Sequence, residues 1–391
     1  MILTPTLHRD WIHIDALRIV ERLQGDGHQT YLVGGCVRDL LVGIHPKDFD
    51  IATSASPNQI RKRIPNSFLI GRRFKLILVK RGQYQFEVAT FRKNFDPEEH
   101  GESIEGSGDN FFGTAEEDAK RRDFTINGIF YDPVKESLFD YVEGLEDIQA
   151  RIIRMIGLPD VRFKEDPIRI LRALRLSHKI NFTLEPELRA AMIGTAELLT
   201  GTPLPRRREE YLKILRLKDP WTALMEMRDL EILPKILPGL CDFLAKYEDE
   251  FFELMRTFPA EKFNIEDPIQ TFSVLIVPMA KILLDKNGPE SLAEESPLGL
   301  FMRHELGVFK AESNILLRAI ETYPQFQQVE QFRKRGVRRR RGFLQQDYSV
   351  LAFQIAQWVD ALSADEILFW REEIAGGPIA PPTPVAPPTQ Q

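Results

Sequence analysis

Cysteine is nearly missing from this chain. Cys36 and Cys241 are the only two in 391 residues and stand far apart, which argues against a disulfide framework or a thiolate zinc site and suits a reducing cytoplasm. No apolar run is long enough to span a membrane, so no membrane partner is expected. The opening MILTPTLHRDW has no basic start followed by an apolar stretch, so no signal peptide is expected. No repeat recurs at a fixed period. A surplus of positive charge is missing too: the net charge is −6, which by itself does not mark a nucleic-acid binder. The cations that are present cluster locally, and a local cluster is the footprint that matters. The length suits two to four units at roughly 100–200 residues per domain.

What is present is concentrated in YLVGGCVRDLLVGIHPKDFDIAT, residues 31–53. It reads as a strand (Tyr31–Val33), a bend at Gly34 and Gly35, a helical turn (Val37–Val42) and a second strand (Asp48–Thr53). Two glycines without Cβ let a phosphate approach the backbone. Arg38 follows them and is placed to fork onto phosphate oxygens. Asp48 and Asp50 are two apart in a β-rich run and are expected on one face of the strand, with Phe49 and Ile51 turned into a core. Adjacent carboxylates repel unless a cation bridges them, and oxygen ligands suit Mg²⁺ or Mn²⁺. A metal pair held this way can activate a hydroxyl nucleophile and stabilise a leaving pyrophosphate.

LVGGCVRDLL followed by DFDIAT resembles the signature of the class II branch of the polymerase-β-like nucleotidyltransferases, the branch of bacterial poly(A) polymerases and tRNA CCA-adding enzymes. The resemblance implies an α+β fold: a small mixed-sheet head over 1–157, an all-α neck over 158–240 and an all-α body over 241–375. It also implies an acidic residue of the EVATFR strand, here Glu87, as a third candidate near the metal. The piece GRRFKL resembles a poly(A) polymerase motif in which a histidine follows two residues after the leucine; Leu78 stands there. RRDFTIN matches the second signature, in which Arg122 contacts the incoming triphosphate and Asp123 orients groups at the site.

Local patterns fill in the head. Asp15–Gln24 has helical spacing, with Leu17, Val20 and Leu23 on one side. Ser56 and Pro57 read as N-cap and first helical residue. Two β-rich runs flank Arg81-Gly82 as a hairpin. Residues 94–114, acidic and glycine-rich, are expected to form a mobile loop over the site. Phe139–Val142 reads as a short strand, and Arg151–Ile156 as a last extended segment.

FKEDPIRILRALRLSHKI places an acidic pair and a proline at a helix start. Arg169, Arg172 and Arg175 recur every three residues beside the apolar Ile168, Leu171, Leu174 and Leu176. The stretch matches the family's EDxxRxxRxxR motif, which implies that Asp166 and Arg169 read the base edge in place of a template. An aspartate accepts from an exocyclic amine, and an arginine donates to ring acceptors. Arg172 and Arg175 then touch phosphates or hold the helix. Helices are expected over Arg206–Leu215 and Pro220–Asp229, and an all-helical body over 245–330.

QFRKRGVRRRRGF packs seven cations into nine residues, among them Arg335, Arg338, Arg339, Arg340 and Arg341. Contact with an RNA backbone is favoured over a solvated charge run. The flanking Phe332 and Phe343 are candidates to stack on bases, or core. A tail from Gly377, rich in proline, should be extended and unstructured.

The expected function is template-independent transfer of AMP from ATP to the 3′ end of RNA. CCA addition to tRNA is the alternative, and a non-catalytic RNA-binding homologue ranks below both. A metal-dependent phosphohydrolase of the His-Asp type is not supported, because the seven histidines are scattered.

Overall fold

The structure, a computed structural model, describes residues 7, 9–71, 76–93, 112–359 and 362–376. Most of GRRFKL, the body of the expected 94–114 loop and the tail from Gly377 lie outside the described residues. Contacts group the chain into two compact units, residues 1–198 and 199–391, so the expected boundary near 157 falls inside the first.

The first unit opens with α1 (Ile14–Gly25), whose buried face is Ala16, Ile19, Val20 and Leu23; Leu17 is half-buried. Then come β1 (Thr30–Val33), α2 (Gly35–Leu41), β2 (Asp50–Thr53), α3 (Pro57–Arg63), β3 (Ser67–Ile70), β4 (Leu76–Arg81) and β5 (Tyr84–Thr90). Ser56 caps α3 in a capping box with Gln59. After α4 (Ala115–Lys120) follow β6 (Ile129–Asp132), β7 (Ser137–Asp140), α5 (Gly144–Ala150) and β8 (Ile152–Ile153). Among the described residues the strands form a seven-stranded sheet in the order β3-β4-β5-β2-β1-β6-β7. β2 and β5 run parallel, while β1 pairs antiparallel with both β2 and β6. Tyr31, Val33, Ala52, Phe91, Ala115, Ala119 and Phe130 make an apolar cluster between sheet and α4.

Several elements differ from expectation. β7 ends at Asp140, whose carboxylate accepts from the backbone of Val142, Gly144 and Leu145 and turns the chain into α5. The acidic pair Glu165-Asp166 does not open a helix; it closes α6 (Pro159–Glu165), with Asp166 as C-cap at φ −152° and ψ 95°. Pro167 enforces this break, because its ring disfavours helical geometry in the residue before it. α7 (Ile168–Ile180) then buries Ile168, Leu171, Leu174 and Leu176 as expected, and Ile170, Ala173, Ser177 and Ile180 besides. β9 (Thr183–Leu184) adds a two-residue parallel pair with β8, so this region is not wholly helical. α8 (Pro186–Thr195) completes the unit.

The second unit holds α9 (Leu204–Leu215), α10 (Pro220–Asp229), α11 (Leu233–Ile236), α12 (Pro238–Arg256), α13 (Pro268–Asn287), α14 (Pro297–Leu300), α15 (Lys310–Thr322), α16 (Val329–Arg333), α17 (Val337–Leu344), α18 (Ser349–Trp358) and α19 (Ala364–Ala375). α13 has the length and hydropathy of a membrane span, contrary to expectation, yet 61% of its most apolar window is buried within the protein. Burial of that kind is what a core helix shows. Arg208 of α9, itself buried, forks onto Glu312 of α15 at 2.8 Å through both Nη atoms.

Candidate active site

Asp50 opens β2. Register sets it between Val33 of β1 and Glu87 of β5, and Glu87 lies across from Leu78 of β4. Cross-strand neighbours share a face, so Val33, Asp50, Glu87 and Leu78 form one row. The sequence motif's missing histidine would therefore stand beside Glu87. Asp48 precedes the strand and is exposed. The expected 48–53 strand begins only at Asp50 because β1 turns away at Gly34, leaving Asp48 without a ladder partner there. Burial, with Glu87 and Asp48 adding to it and Arg122 and Arg38 opposing, leaves the Asp50 carboxyl raised to about 6.

Gly34 has φ +72°, the left-handed region that favours glycine. A Cβ there would stand 3.1 Å from Arg122 Nη1 and 3.6 Å from Asp50 Oδ2. Backbone, guanidinium and carboxylate thus converge on one point, in a cradle that a single methyl would fill. α2 starts at Gly35, two residues earlier than expected.

Arg38 does not present a free fork. It is 6% exposed, directs Nε and Nη2 to Asp39 Oδ1, and donates from Nη1 to Asn127 Oδ1 at 2.6 Å. The guanidinium nearest the bend at Gly34 is that of Arg122. Its Nη2 donates to Asp118 Oδ2 at 2.9 Å, and its Cζ lies 5.0 Å from the centre of the Phe130 ring. Arg92, Arg121 and Arg122 line one cleft of about 300 Å³ with Asp50, Glu87 and Asp118. Burial holds Arg92 and Arg121 below the usual arginine range. The cleft therefore joins a crowded acidic row to a crowded basic wall. Between them, a cation bound to a polyphosphate would relieve both repulsions.

Asp123 is a structural node. Its Oδ2 accepts from Arg172 Nε at 2.9 Å and Nη2 at 2.6 Å, and its Oδ1 accepts from Phe124 N and Asn127 Nδ2. Burial alone would raise this carboxyl; Arg172, Asn127 and Phe124 override it and hold it down at about 2. Lys179, two turns beyond Arg172 on α7, reaches Asp39 Oδ2 at 2.9 Å. A closed ring results: Arg172, Asp123, Asn127, Arg38, Asp39, Lys179. It clamps α7 against the glycine bend at two points. Arg162 adds another tie, donating from Nη2 to the carbonyls of Arg121 and Arg122 at 2.8 Å each.

Asp39, Asn127, Arg162 and Lys179 were not singled out from the sequence. A buried ion pair or side-chain bridge has no one-dimensional spacing. The one local signal is the adjacent Arg38 and Asp39 inside an otherwise apolar helical turn. Asp166 and Arg169 lie half-buried at the start of α7, where Arg169 Nη1 donates to Arg162 O at 2.7 Å and Glu165 Oε2 at 2.9 Å. Arg175 is half-buried further along.

In the second unit, Arg338, Arg339 and Arg341 are exposed on α17, Arg335 is half-buried, and Arg340 pairs with Glu373 at 3.2 Å. Phe332 is not available for stacking on bases. It is 2% exposed, with its ring 4.5 Å from Trp370, because the cluster of Phe326, Phe332, Phe343 and Trp370 is the local core. Cys36 and Cys241 are free thiols, and burial pushes Cys36 up to about 12.

Residues 30–154 match the family model described as the poly A polymerase head domain, and residues 181–244 one described as a probable RNA- and SrmB-binding site of polymerase A. Poly(A) polymerase I of Salmonella typhimurium is 39% identical over 254 residues, 63% of this chain and 55% of that protein. A CCA-adding enzyme of Streptococcus suis is 33% identical over 267 residues, 67% of this chain and 63% of that one. Among solved structures, Bacillus stearothermophilus CCA-adding enzyme in complex with CTP has a TM-score of 0.67 at 25% identity, covering 92% of this chain and 81% of that chain. Thermotoga maritima CCA-adding enzyme complexed with tRNA shares the fold at a TM-score of 0.56 and 22% identity, covering 94% of this chain and 83% of that one. Glycine bend, acidic row and basic wall on a mixed sheet define a nucleotidyltransferase head. The chain carries the poly A polymerase head of a nucleotidyltransferase, and it is similar both to poly(A) polymerase I and to CCA-adding enzymes. It spans little more than half the length of the poly(A) polymerases I that it matches, 55% in each case.

Proposed function

We propose that this chain transfers AMP from ATP to the 3′-hydroxyl of RNA without a nucleic-acid template. The observation that carries this is the cradle at Gly34, where the Asp50 carboxylate and the Arg122 guanidinium face one another across a left-handed glycine. The 3′-oxygen bonds to the α-phosphorus, and the bond from that phosphorus to the α–β bridging oxygen breaks. The electron pair leaves with pyrophosphate, and the hydroxyl proton passes to water.

The residues fit divalent Mg²⁺ or Mn²⁺. Asp50 is raised by Glu87 and Asp48, a repulsion that a cation removes, and the donors are carboxylate oxygens. Among the described residues no three of His, Cys, Asp and Glu form a complete metal set, so Asp48 and Asp50 would hold the ion with nucleotide and water supplying the rest. When bound, it would acidify the hydroxyl and neutralise the triphosphate. Arg122 and the bend at Gly34 and Gly35 grip the phosphates. Arg38 keeps the bend in shape from behind through Asp39 and Asn127, and Asp123 holds Arg172 and with it α7. Asp166 and Arg169 select adenine, with Arg169 trading its bond to Glu165 for the base. Arg338, Arg339 and Arg341 attract the RNA backbone, and the two free thiols suit a cytoplasmic setting.

CCA addition to tRNA is the second reading, supported by the CTP-bound CCA-adding enzyme at a TM-score of 0.67. One gel separates the two. RNA extended with ATP alone into a ladder of increasing length supports the first. Addition of two C and one A to a tRNA lacking its end, followed by a halt, overturns it in favour of the second. No pyrophosphate release with RNA, Mg²⁺ and all four nucleotides rejects both.

A further inference from the structure

The two edges of the seven-stranded sheet are finished differently. β7 is half-buried along its length. On β3, Phe68, Leu69 and Ile70 stand 52%, 44% and 38% exposed, three apolar residues in a row on an open edge. The pairing with β4 fixes which backbone groups face outward. Lys80 N donates to Asn66 O at 3.0 Å, and Ser67 and Leu69 lie opposite Val79 and Ile77. Hydrogen-bonded and non-hydrogen-bonded pairs alternate along an antiparallel ladder, so Asn66, Phe68 and Ile70 bond to β4, while Ser67 and Leu69 aim N–H and C=O away from it. Among the described residues no strand pairs with that outer side. Cations flank it. Arg61, Lys62 and Arg63 end α3 just before the strand and are exposed, and Lys80 Nζ lies 5.7 Å from the centre of the Phe68 ring. At the entry to β3, Arg18, Arg22 and Arg81 line a hollow of about 400 Å³ with Ile64, and Arg81 Nη1 donates to the Pro65 carbonyl at 2.8 Å. The carboxylates that meet these cations are engaged already, Asp15 by Arg18 at 3.4 Å and Asp26 by Arg63 at 2.8 Å.

We infer that the outer edge of β3 takes an extended segment of a partner protein, apolar at its centre and acidic at its ends, as an additional strand. An open, apolar edge is a ready template for pairing. Strand addition draws affinity from main-chain hydrogen bonds and specificity from alternate side chains. The guest's apolar side chains cover Phe68 and Ile70 on one face and Leu69 on the other, and its carboxylates meet the flanking cations. A second copy of this chain suits the edge less, because it sets Arg61, Lys62, Arg63 and Lys80 of one copy beside those of the other. RNA suits it less as well: phosphates accept hydrogen bonds and leave the outward carbonyls of Ser67 and Leu69 unmatched. β4 separates this edge from the Glu87 strand, so a guest there leaves the acidic row open and docks whether or not the chain transfers AMP.

The probe is a fluorescein-labelled peptide, Glu-Asp-Val-Ile-Val-Asp-Glu, titrated into the full chain and followed by anisotropy, beside a copy with lysine at every acidic position. The acidic peptide should bind about ten-fold more tightly than the lysine copy, with an affinity that falls as salt rises. Bound, it should slow hydrogen exchange at the Ser67 and Leu69 amides, which contact through charge alone leaves unchanged. Leu69→Pro removes an outward donor and sets a ring against the guest without touching the bonds to β4. It should weaken peptide binding about ten-fold, with the melting temperature near the parent's. Leu69→Glu keeps the backbone intact and repels the acidic guest; it should weaken binding as well, and it decides the matter if the proline variant does not fold. Equal affinity for the two peptides, or unprotected amides at Ser67 and Leu69, overturns the inference. A dimer of the parent that Leu69→Pro abolishes assigns the edge to a second copy, and displacement of the peptide by an equal concentration of hexa-uridylate assigns it to RNA; either result overturns the inference too.

Discussion

Asp50 on β2 and Asp123 in the turn after α4 are both withdrawn from water, yet their carboxyls move in opposite directions, to about 6 and about 2. Asp50 has Glu87 beside it and Asp48 two residues away, with arginine charge close but not hydrogen-bonded in the described contacts. Asp123 accepts two bonds from Arg172, one from Asn127 and one from the backbone. An acid short of partners is a place where a cation gains energy by arriving; an acid whose lone pairs are filled is part of the frame. The sequence reading grouped both as catalytic, and the difference between them is visible only in three dimensions.

The sharpest way to break this contrast is Asp50→Asn. Transfer should fall on the order of 10³-fold, while the metal-free protein melts at the same temperature or about 2 °C higher, because a repulsion has gone. A large loss of stability would put Asp50 in the frame after all. Gly34→Ala comes next. The positive φ costs about 1–2 kcal/mol, and the new methyl meets Arg122 Nη1 at 3.1 Å, so kcat/KM for ATP should drop about 10–100-fold with a melting point lower by only a few degrees. Steady-state kinetics beside a thermal melt separates the two effects.

Asp123→Asn reverses the pattern. Its folded pKa lies about two units below the usual value, which corresponds to about 2–3 kcal/mol and about 5–10 °C in melting temperature near neutral pH. For a carboxyl depressed in the folded state, that stabilisation is complete above the unfolded value near 4 and fades as pH falls through about 2. The gap between parent and variant should therefore close between about pH 4 and pH 2. A gap that persists at pH 2 would exclude the ionised pair as its source. The smallest effect is expected for Arg338→Ala with Arg339→Ala: no change in melting, and a salt dependence of RNA binding shallower by about 0.7 per arginine. Phe332→Ala, only a few residues away, should instead cost about 3–5 kcal/mol of stability, as a buried ring does.

Much of the head was legible in one dimension because its signals are local. The bend at Gly34, the alternation through β4 and β5, the capped start of α3 and the apolar stripe of α7 each declare themselves within a dozen residues. Glu87 could be suspected but not placed, since parallel pairing of β2 with β5 joins segments 37 residues apart in register. The bonds of Arg38 were not legible, since charge in a glycine-rich turn suggests phosphate, whereas one of its partners, Asn127, lies 89 residues away. The acidic pair before Pro167 reads as a helix start on composition, although the residue preceding a proline resists helical geometry.

The ring that ties α7 to the glycine bend also limits how such a protein can diversify. A substitution that tilts α7 drags Arg172 and Lys179 with it and so distorts the bend at Gly34 and Gly35. On the proposed reading, descendants that acquire a taste for another base are left with the positions the clamp does not hold, around Glu165, Asp166 and Arg169, where a side chain can be exchanged while the scaffold behind it stays put.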